Sequence, residues 1–362
     1  ANSRERKEMP MNSPIGIGVL SFAHGHVGVY ADVMKDFPDV TLVAAYDDNP
    51  ERAKPICERT GLRYEASPEG VLRDGAVQAV MIGSETSRHA ELCVAAAEAG
   101  KHILLQKPMA MTLEECDRMN AAAAANGVTL AMAWQMRHDP ANIRMRELVS
   151  SGALGKVGVV RRRHCIPVLF NDGFVNGPTN WHIRAETNIG MFADDAAHPI
   201  DWLCWTFGKP VSVMAEIDNV LTDVAPDDNG IALFRMRGGA MATIFNSSTV
   251  DAGECTTEIY GDKGMLIQNY GDGPSCSIPG CPEGHALKLF SYETRGWEVF
   301  DIPKPASQGE RIAAVPRPWV DSLVNDTPPA ATGKDGRIAL ELVLAAYQSA
   351  REGRRVTLPL SD

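Results

Sequence analysis

The sequence predicts an α/β protein in two differently organised parts, a helix-wound parallel sheet followed by an antiparallel one. Three observations lead there. Between Ile15 and Ala133 short apolar runs alternate with helical patterns. Beyond about residue 134 the runs lengthen, alternate residue by residue and follow one another across short turns. And 362 residues exceed what one hydrophobic core usually serves.

In chain order, residues 1–14 are charged and aperiodic and read as a flexible extension outside the fold. Buried strands are expected at Ile15–Leu20, Thr41–Tyr46, Ala79–Ile82, His102–Leu105 and Thr129–Ala133. The joints between them have the right chemistry. Asn49-Pro50-Glu51 supplies a cap, a proline at the first helical position and an acid for the helix dipole. Thr112 and Glu115 form a capping box, and Gly127 closes the alanine-rich helix it opens. The second part, residues 134–362, begins with a helix near Asn142–Ser150. Strands are expected at Val157–Arg163, Val211–Ile217, Ile231–Met236, Ala240–Phe245 and Thr256–Tyr260, before a last helix at about Gly336–Arg351. The Arg237-Gly238-Gly239 turn between two of the runs implies antiparallel pairing.

Composition narrows the function. A net charge of −11 repels nucleic-acid phosphates and anionic lipid. No apolar run approaches the roughly 20 residues of a membrane span, and the N-terminal stretch lacks the apolar core of a signal peptide; a cytoplasmic location is expected. Eight cysteines are scattered without CxxC pairs or histidines at ligand spacing, so they read as small buried hydrophobes and no metal is assigned. Cys276 and Cys281 share a Gly/Pro-rich loop, but free thiols are favoured in a reducing compartment.

The turn after the first strand, Ser21-Phe22-Ala23-His24-Gly25-His26, stands where a dinucleotide fold places G-x-G-x-x-G. Ser21 and Ala23 are small enough for close backbone approach, whereas His26 in the third position must alter helix packing. An ordinary strand-to-helix turn is the competing reading. Asp47, ending the second strand, can accept both hydroxyls of a ribose, and Asp48 after it would repel a 2′-phosphate, favouring NAD(H) over NADP(H). Asp47 as a mere helix-capping acid is the alternative.

Three further segments are informative together: Gln106-Lys107-Pro108-Met109-Ala110, the run from Ile82 to His89, and the run from Asn188 to Asp201 containing Asp194 and His198. With them the chain resembles the glucose-fructose oxidoreductase and inositol dehydrogenase (Gfo/Idh/MocA) family, over essentially Ile15 to Leu358. The resemblance implies an N-terminal Rossmann NAD-binding domain and a C-terminal α/β domain with a large open antiparallel sheet, which in such proteins often makes the contact of a homodimer or homotetramer. It departs at Gln106, where the family has Glu; at Asn188-Ile189-Gly190, where it has three glycines; and at Ser21, Ala23 and His26.

Lys107, Asp194 and His198 are the catalytic candidates the resemblance implies. Oxidising a secondary alcohol needs a proton acceptor, a donor beside the developing alkoxide and a nicotinamide to take hydride. Asp194 and His198 are four apart and on one helix would share a face, so Asp194 can orient His198 as base while Lys107 binds the reacting oxygen. Lys107 as the proton acceptor stays open. Phe22, Ala23, His24, Asp47, Asp48, Gln106 and Trp134 are expected around the cofactor, and Gln106 keeps hydrogen-bonding capacity while losing charge. By the resemblance Ser84, Glu85 and His89 border the cofactor, with His89 as a helix cap the alternative, and Trp181 and His182 touch substrate or nicotinamide. Arg163 and His164 end a strand that can point into the same pocket. The function expected is hydride transfer between NAD(H) and a sugar, inositol or related polyol. A redox-neutral NAD-dependent glycosidase or epimerase working through a keto sugar, and a non-catalytic dinucleotide and sugar sensor, remain as alternatives.

Overall fold

The computed structural model describes residues 14–250, 256–268, 286–303, 305 and 307–360. Its elements in order are β1 (Ile15–Leu20), α1 (His26–Met34), β2 (Val40–Tyr46), α2 (Pro50–Thr60), β3 (Arg63–Glu65), α3 (Pro68–Leu72), β4 (Ala79–Ile82), α4 (His89–Glu98), β5 (His102–Leu105), α5 (Leu113–Asn126), β6 (Leu130–Met132), α6 (Pro140–Ser150) and β7 (Val157–Cys165). They continue as α7 (Asp172–Val175), α8 (Met191–Asp195), α9 (Ala197–Phe207), β8 (Pro210–Asp218), β9 (Asn229–Met236), β10 (Met241–Ser247), β11 (Thr256–Gly261), β12 (Gly264–Gln268), β13 (Lys288–Ser291), β14 (Gly296–Val299), α10 (Gln308–Ala313), α11 (Pro316–Val324), α12 (Gly333–Glu352) and β15 (Val356–Thr357).

The first sheet has the order β3-β2-β1-β4-β5-β6 and is parallel throughout. Its order reverses between β1 and β4, the crevice where doubly wound sheets bind dinucleotides. The five expected strands are present; β3, three residues without an apolar signal, is the one the pattern did not reveal. Asn49 caps α2, accepting from the amides of Glu51 and Arg52, and Thr112 with Glu115 closes the capping box of α5, which ends on a left-handed Gly127.

The second sheet has nine strands, β14-β13-β12-β11-β7-β10-β9-β8-β15, antiparallel except for the β7–β10 pair. One face, with Val160, Val213, Phe234, Ile244 and Leu266, shares a core with Ile200 and Leu203 of α9 and Leu340 and Val343 of α12. The other face exposes Val159, Met214, Ile231, Leu233, Met241, Tyr260 and Trp297. The chain then returns to the first sheet: Ile312, Val315, Trp319, Val320 and Leu323 share a core with Ile17, Val27 and Tyr30 of β1 and α1. Buried Arg311 pairs with Asp139 at 2.9 Å, and Arg317 with Asp39 at 2.8 Å. No described helix is long and apolar enough to cross a membrane. Cys57, Cys93 and Cys116 are buried free thiols, and burial pushes the latter two up to about 12. Cys255, Cys276 and Cys281 lie outside the described residues.

Candidate active site

Lys107 leaves the carboxyl end of β5, where parallel strands present ligand-binding groups, and Asp194 sits on α8 against the second sheet. They meet as a buried ion pair, Lys107 Nζ to Asp194 Oδ2 at 2.9 Å, with a second bond to the Asp194 carbonyl at 3.1 Å. The other carboxylate oxygen, Oδ1, faces His182 Nδ1 at 3.1 Å and accepts from Asn188 Nδ2 at 3.2 Å. Burial alone would raise this carboxyl, but Lys107 and then His182 hold it well below the usual carboxylate range.

His198 does not join that network. Asp194 and His198 belong to different helices, because the backbone breaks at Ala196 between α8 and α9, and the expected orienting bond from Asp194 to the His198 ring is not formed. Instead the ring lies edge-on to Trp134 and beside His164, both with centroids 5.6 Å away. Its Nδ1 is buried without a partner. Burial, then Lys107 and His164, keep this imidazole well below its ordinary pKa and therefore neutral.

The start of α8 is fixed from below. Asp227 accepts from the Phe192 amide at 2.6 Å and from Tyr347 Oη at 2.7 Å, and Tyr347 Oη in turn accepts from the Ala193 amide at 3.2 Å. A Cβ at Gly190 would collide with both Asp227 and Tyr347, so this position of the Asn188-Ile189-Gly190 run keeps its glycine. Asn188, by contrast, does work a glycine could not: its Oδ1 accepts from Thr86 Oγ1 at 3.1 Å, tying the loop after β4 to Asp194.

The turn after β1 takes its expected path with altered parts. Ser21 adopts φ 73°, a left-handed conformation that favours glycine. Its hydroxyl compensates by donating to Asp47 Oδ2 at 3.1 Å and accepting from the Ala23 amide at 3.2 Å. His26 begins α1, its ring against His24 at 4.3 Å. The close helix-to-sheet contact is made by Gly83, where a Cβ would strike Val27. His24 is buried, and Trp181 Nε1 donates to the Ala23 carbonyl at 3.2 Å, bringing the 180–183 turn down onto this loop. Trp181 and His182 stack at 3.6 Å, and Phe174 continues the stack at 5.5 Å.

The remaining expected residues divide. Gln106 Nε2 donates to Tyr30 Oη at 3.0 Å, leaving Gln106 Oε1 buried and unpartnered, like Trp134 Nε1, His24 Nε2 and Glu85 Oε2. Ser84 is buried beside Glu85, its hydroxyl on the Glu85 carbonyl at 3.1 Å. Phe22 turns its ring into the core while its amide donates to Asp47 at 2.6 Å. His89 sets its ring nitrogens against backbone carbonyls, Nδ1 at 3.0 Å from Pro108 and 3.2 Å from Met109 and Nε2 at 3.2 Å from Ser84, and so brackets the Lys107 loop. Arg163 is not brought to the cluster. It shares the open face of β7 with Val159 and Arg161, while its neighbour His164 turns inward to His198. Sequence reasoning missed Asn188 and Thr86 as partners of this centre; the polar Asn within a run that is otherwise glycine in the resemblance was the available signal.

Buried unpartnered polar atoms are uncommon in native proteins and ask for a partner. Four of them are on His24, Gln106 and Trp134, which follow the carboxyl ends of β1, β5 and β6, and on His198, whose ring packs against Trp134; such a setting suits a nicotinamide dinucleotide. The comparisons agree. Residues 15–134 match the oxidoreductase family with an NAD-binding Rossmann fold, and residues 143–267 match the GFO/IDH/MocA C-terminal domain. The chain belongs to the Gfo/Idh/MocA oxidoreductase family. Among curated relatives it is 26% identical to a myo-inositol 2-dehydrogenase from Thermotoga maritima, covering 94% of this chain and 98% of that one. It is 22% identical to an NAD-dependent scyllo-inositol 2-dehydrogenase from Bacillus subtilis, covering 95% of each. In fold it is similar to an Agrobacterium radiobacter oxidoreductase solved with NAD+, L-tartaric acid and magnesium, with a TM-score of 0.83, 20% identity and coverage of 95% and 98%. A levoglucosan dehydrogenase bound to NADH and levoglucosan is also similar, with a TM-score of 0.80, 21% identity and coverage of 96% and 100%.

Proposed function

We propose that the protein transfers a hydride between NAD(H) and a secondary hydroxyl or ketone of a sugar, inositol or related polyol. The observation that carries this is the buried Lys107–Asp194 pair joining the cofactor-side sheet to the second sheet, with the neutral His198 beside it. NAD, when bound, supplies the hydride acceptor. Lys107 donates to the reacting oxygen and stabilises it as alkoxide character develops. Asp194 keeps Lys107 in place and, through His182 and Asn188, fixes the geometry of the pocket. His198, uncharged and with an unpartnered nitrogen, accepts the hydroxyl proton in oxidation and returns it in reduction. Gln106, Trp134, Ser84, Glu85, His24 and Ala23 border the cofactor, and Trp181 and His182 border the substrate.

Cofactor binding is assigned to residues 15–133, and substrate binding and subunit contact to residues 134–362, although α10 and α11 pack back on the first sheet. The apolar open face of the second sheet supports pairing of two copies through it, in a dimer or a tetramer. Acidic net charge and buried free thiols are in keeping with a cytoplasmic enzyme.

The test is a screen of purified protein with NAD and NADP against inositols, aldoses, uronic acids and glycosides, following reduced cofactor. NADH formed in proportion to oxidised polyol supports the reading. Product without net NADH identifies a redox-neutral enzyme, and dinucleotide binding without turnover of any class identifies a sensor. His198→Ala turning over at an unchanged rate at pH 7 removes His198 from the chemistry.

A further inference from the structure

The acid expected to meet the adenosine ribose is already occupied by the protein. The Asp47 side chain has 0% exposure. Its Oδ2 accepts from the Phe22 amide at 2.6 Å and Ser21 Oγ at 3.1 Å, its Oδ1 accepts from the Asn49 amide at 2.8 Å, and Arg52 adds a two-pronged contact with Nη2 at 2.7 Å. Asp47 therefore organises the turn after β1, locking it to the end of β2. The next residue is different. Asp48 is 44% exposed, and its two oxygens are divided between two guanidinium groups from separate elements. Oδ1 takes Arg52 Nη2 of α2 at 2.8 Å, and Oδ2 takes Arg88 Nη1 of the loop after β4 at 2.8 Å. Arg88 also contacts Glu91 at 3.0 Å.

These groups stand at the carboxyl end of β2 beside the switch point, the side of a doubly wound sheet that receives the adenosine ribose. Two guanidinium groups converging on one carboxylate have the charge and donor geometry to grip a phosphate monoester equally well. We propose that Asp48 sets the dinucleotide preference as a built-in anion: it occupies the Arg52–Arg88 pair that would otherwise hold the 2′-phosphate of NADP(H). This goes beyond repulsion by a second carboxylate, because it assigns the arginines a latent affinity that Asp48 suppresses. It rests on the dinucleotide reading of the fold.

The experiment is equilibrium binding of NADH and NADPH to the full chain, read from energy transfer between tryptophan and the reduced nicotinamide, with no substrate and no turnover. Because Asp48 and Arg88 are partly exposed, Asp48→Ser and Asp48→Ser/Arg88→Ala are expected to melt within about 3 °C of wild type. Asp48→Ser should tighten NADPH at least about 10-fold while moving NADH less than about 5-fold, and added salt should erode the NADPH gain. Adding Arg88→Ala should abolish most of that gain. An unchanged NADPH affinity in Asp48→Ser, or a gain that survives intact in the double variant, overturns the inference. Wild-type protein that binds NADH while the variants behave in either of those ways sinks this inference alone. Wild-type protein that binds neither dinucleotide sinks the cofactor reading and this inference together.

Discussion

Asp194 is held between Lys107 on one oxygen and His182 and Asn188 on the other, and that arrangement separates its structural from its chemical role. Removing one member of a buried ion pair strands the other and typically costs about 3–5 kcal/mol. Lys107→Met should therefore lose both stability and turnover, whereas Lys107→Met/Asp194→Asn should regain much of the stability in denaturant melts and none of the turnover. If the double variant recovers activity as well, the pair is architecture and not chemistry. His198→Gln should cut hydride transfer by about 10²–10⁴, the usual worth of a positioned acid or base, with NADH affinity little changed. Asp195, next in the chain, behaves oppositely to Asp194. Its carboxyl accepts from Ser248 Oγ at 3.1 Å, and burial followed by the charge of Asp194 pushes it up to about 7. A raised carboxyl pKa stabilises the fold while protonated, and that contribution is lost as pH rises through about 7. Asp195→Asn should remove that loss, so that between about pH 4 and pH 7 its denaturant midpoint climbs more steeply with pH than that of wild type.

At the scale of elements, the legible features were those with a local physical cause. The apolar runs of β1, β4 and β5 have their observed bounds because a fully buried parallel strand must be continuously apolar. The caps of α2 and α5 follow from side chains within three residues. What escaped was decided at a distance. The break between α8 and α9 separates Asp194 from His198, although spacing alone put them on one face. Alternation along β7 turns Arg163 away and His164 inward, a choice set by which face the helices cover. Nδ1 of His89 faces the carbonyls of Pro108 and Met109 about twenty residues on, which no local pattern reports. The Trp181–His182 turn, held to Ala23 by the indole N–H, lies over the loop that faces a dinucleotide pyrophosphate in this fold. Binding of NADH should then displace Trp181 and change its fluorescence, and the change should vanish in Trp181→Phe while persisting in Trp205→Phe.

The whole molecule combines an open apolar sheet face with five buried histidines among the described residues, His24, His89, His164, His182 and His198. His24, His89, His164 and His198 are all depressed, His89 to about 4 and His164 to about 3, with burial the leading cause. A depressed histidine contributes stability that is present above its ordinary pKa of about 6.5 and is lost as pH falls toward the folded value. Asp195 opposes that gain only between about pH 4 and pH 7 and adds no slope above it, so denaturant midpoints should rise from acid pH and level off near pH 7. Ile231→Lys with Leu233→Glu, at exposed positions of β9, should lower the mass in solution toward monomer without loss of secondary structure; an unchanged mass would place the subunit contact elsewhere. In the proposed reaction Lys107, Asp194 and His198 direct hydride transfer from a polyol carbon to NAD. That transfer is tested most directly by incubating the enzyme with NAD+ and carbon-deuterated inositols and sugars, then locating the deuterium by mass spectrometry and NMR. Deuterium is expected at C4 of the nicotinamide with wild type, with a loss of at least about 10³ in rate for Lys107→Met, within the range electrostatic stabilisation supplies. Deuterium retained in the sugar across the whole panel, or transferred equally fast by Lys107→Met, would contradict the proposed reaction.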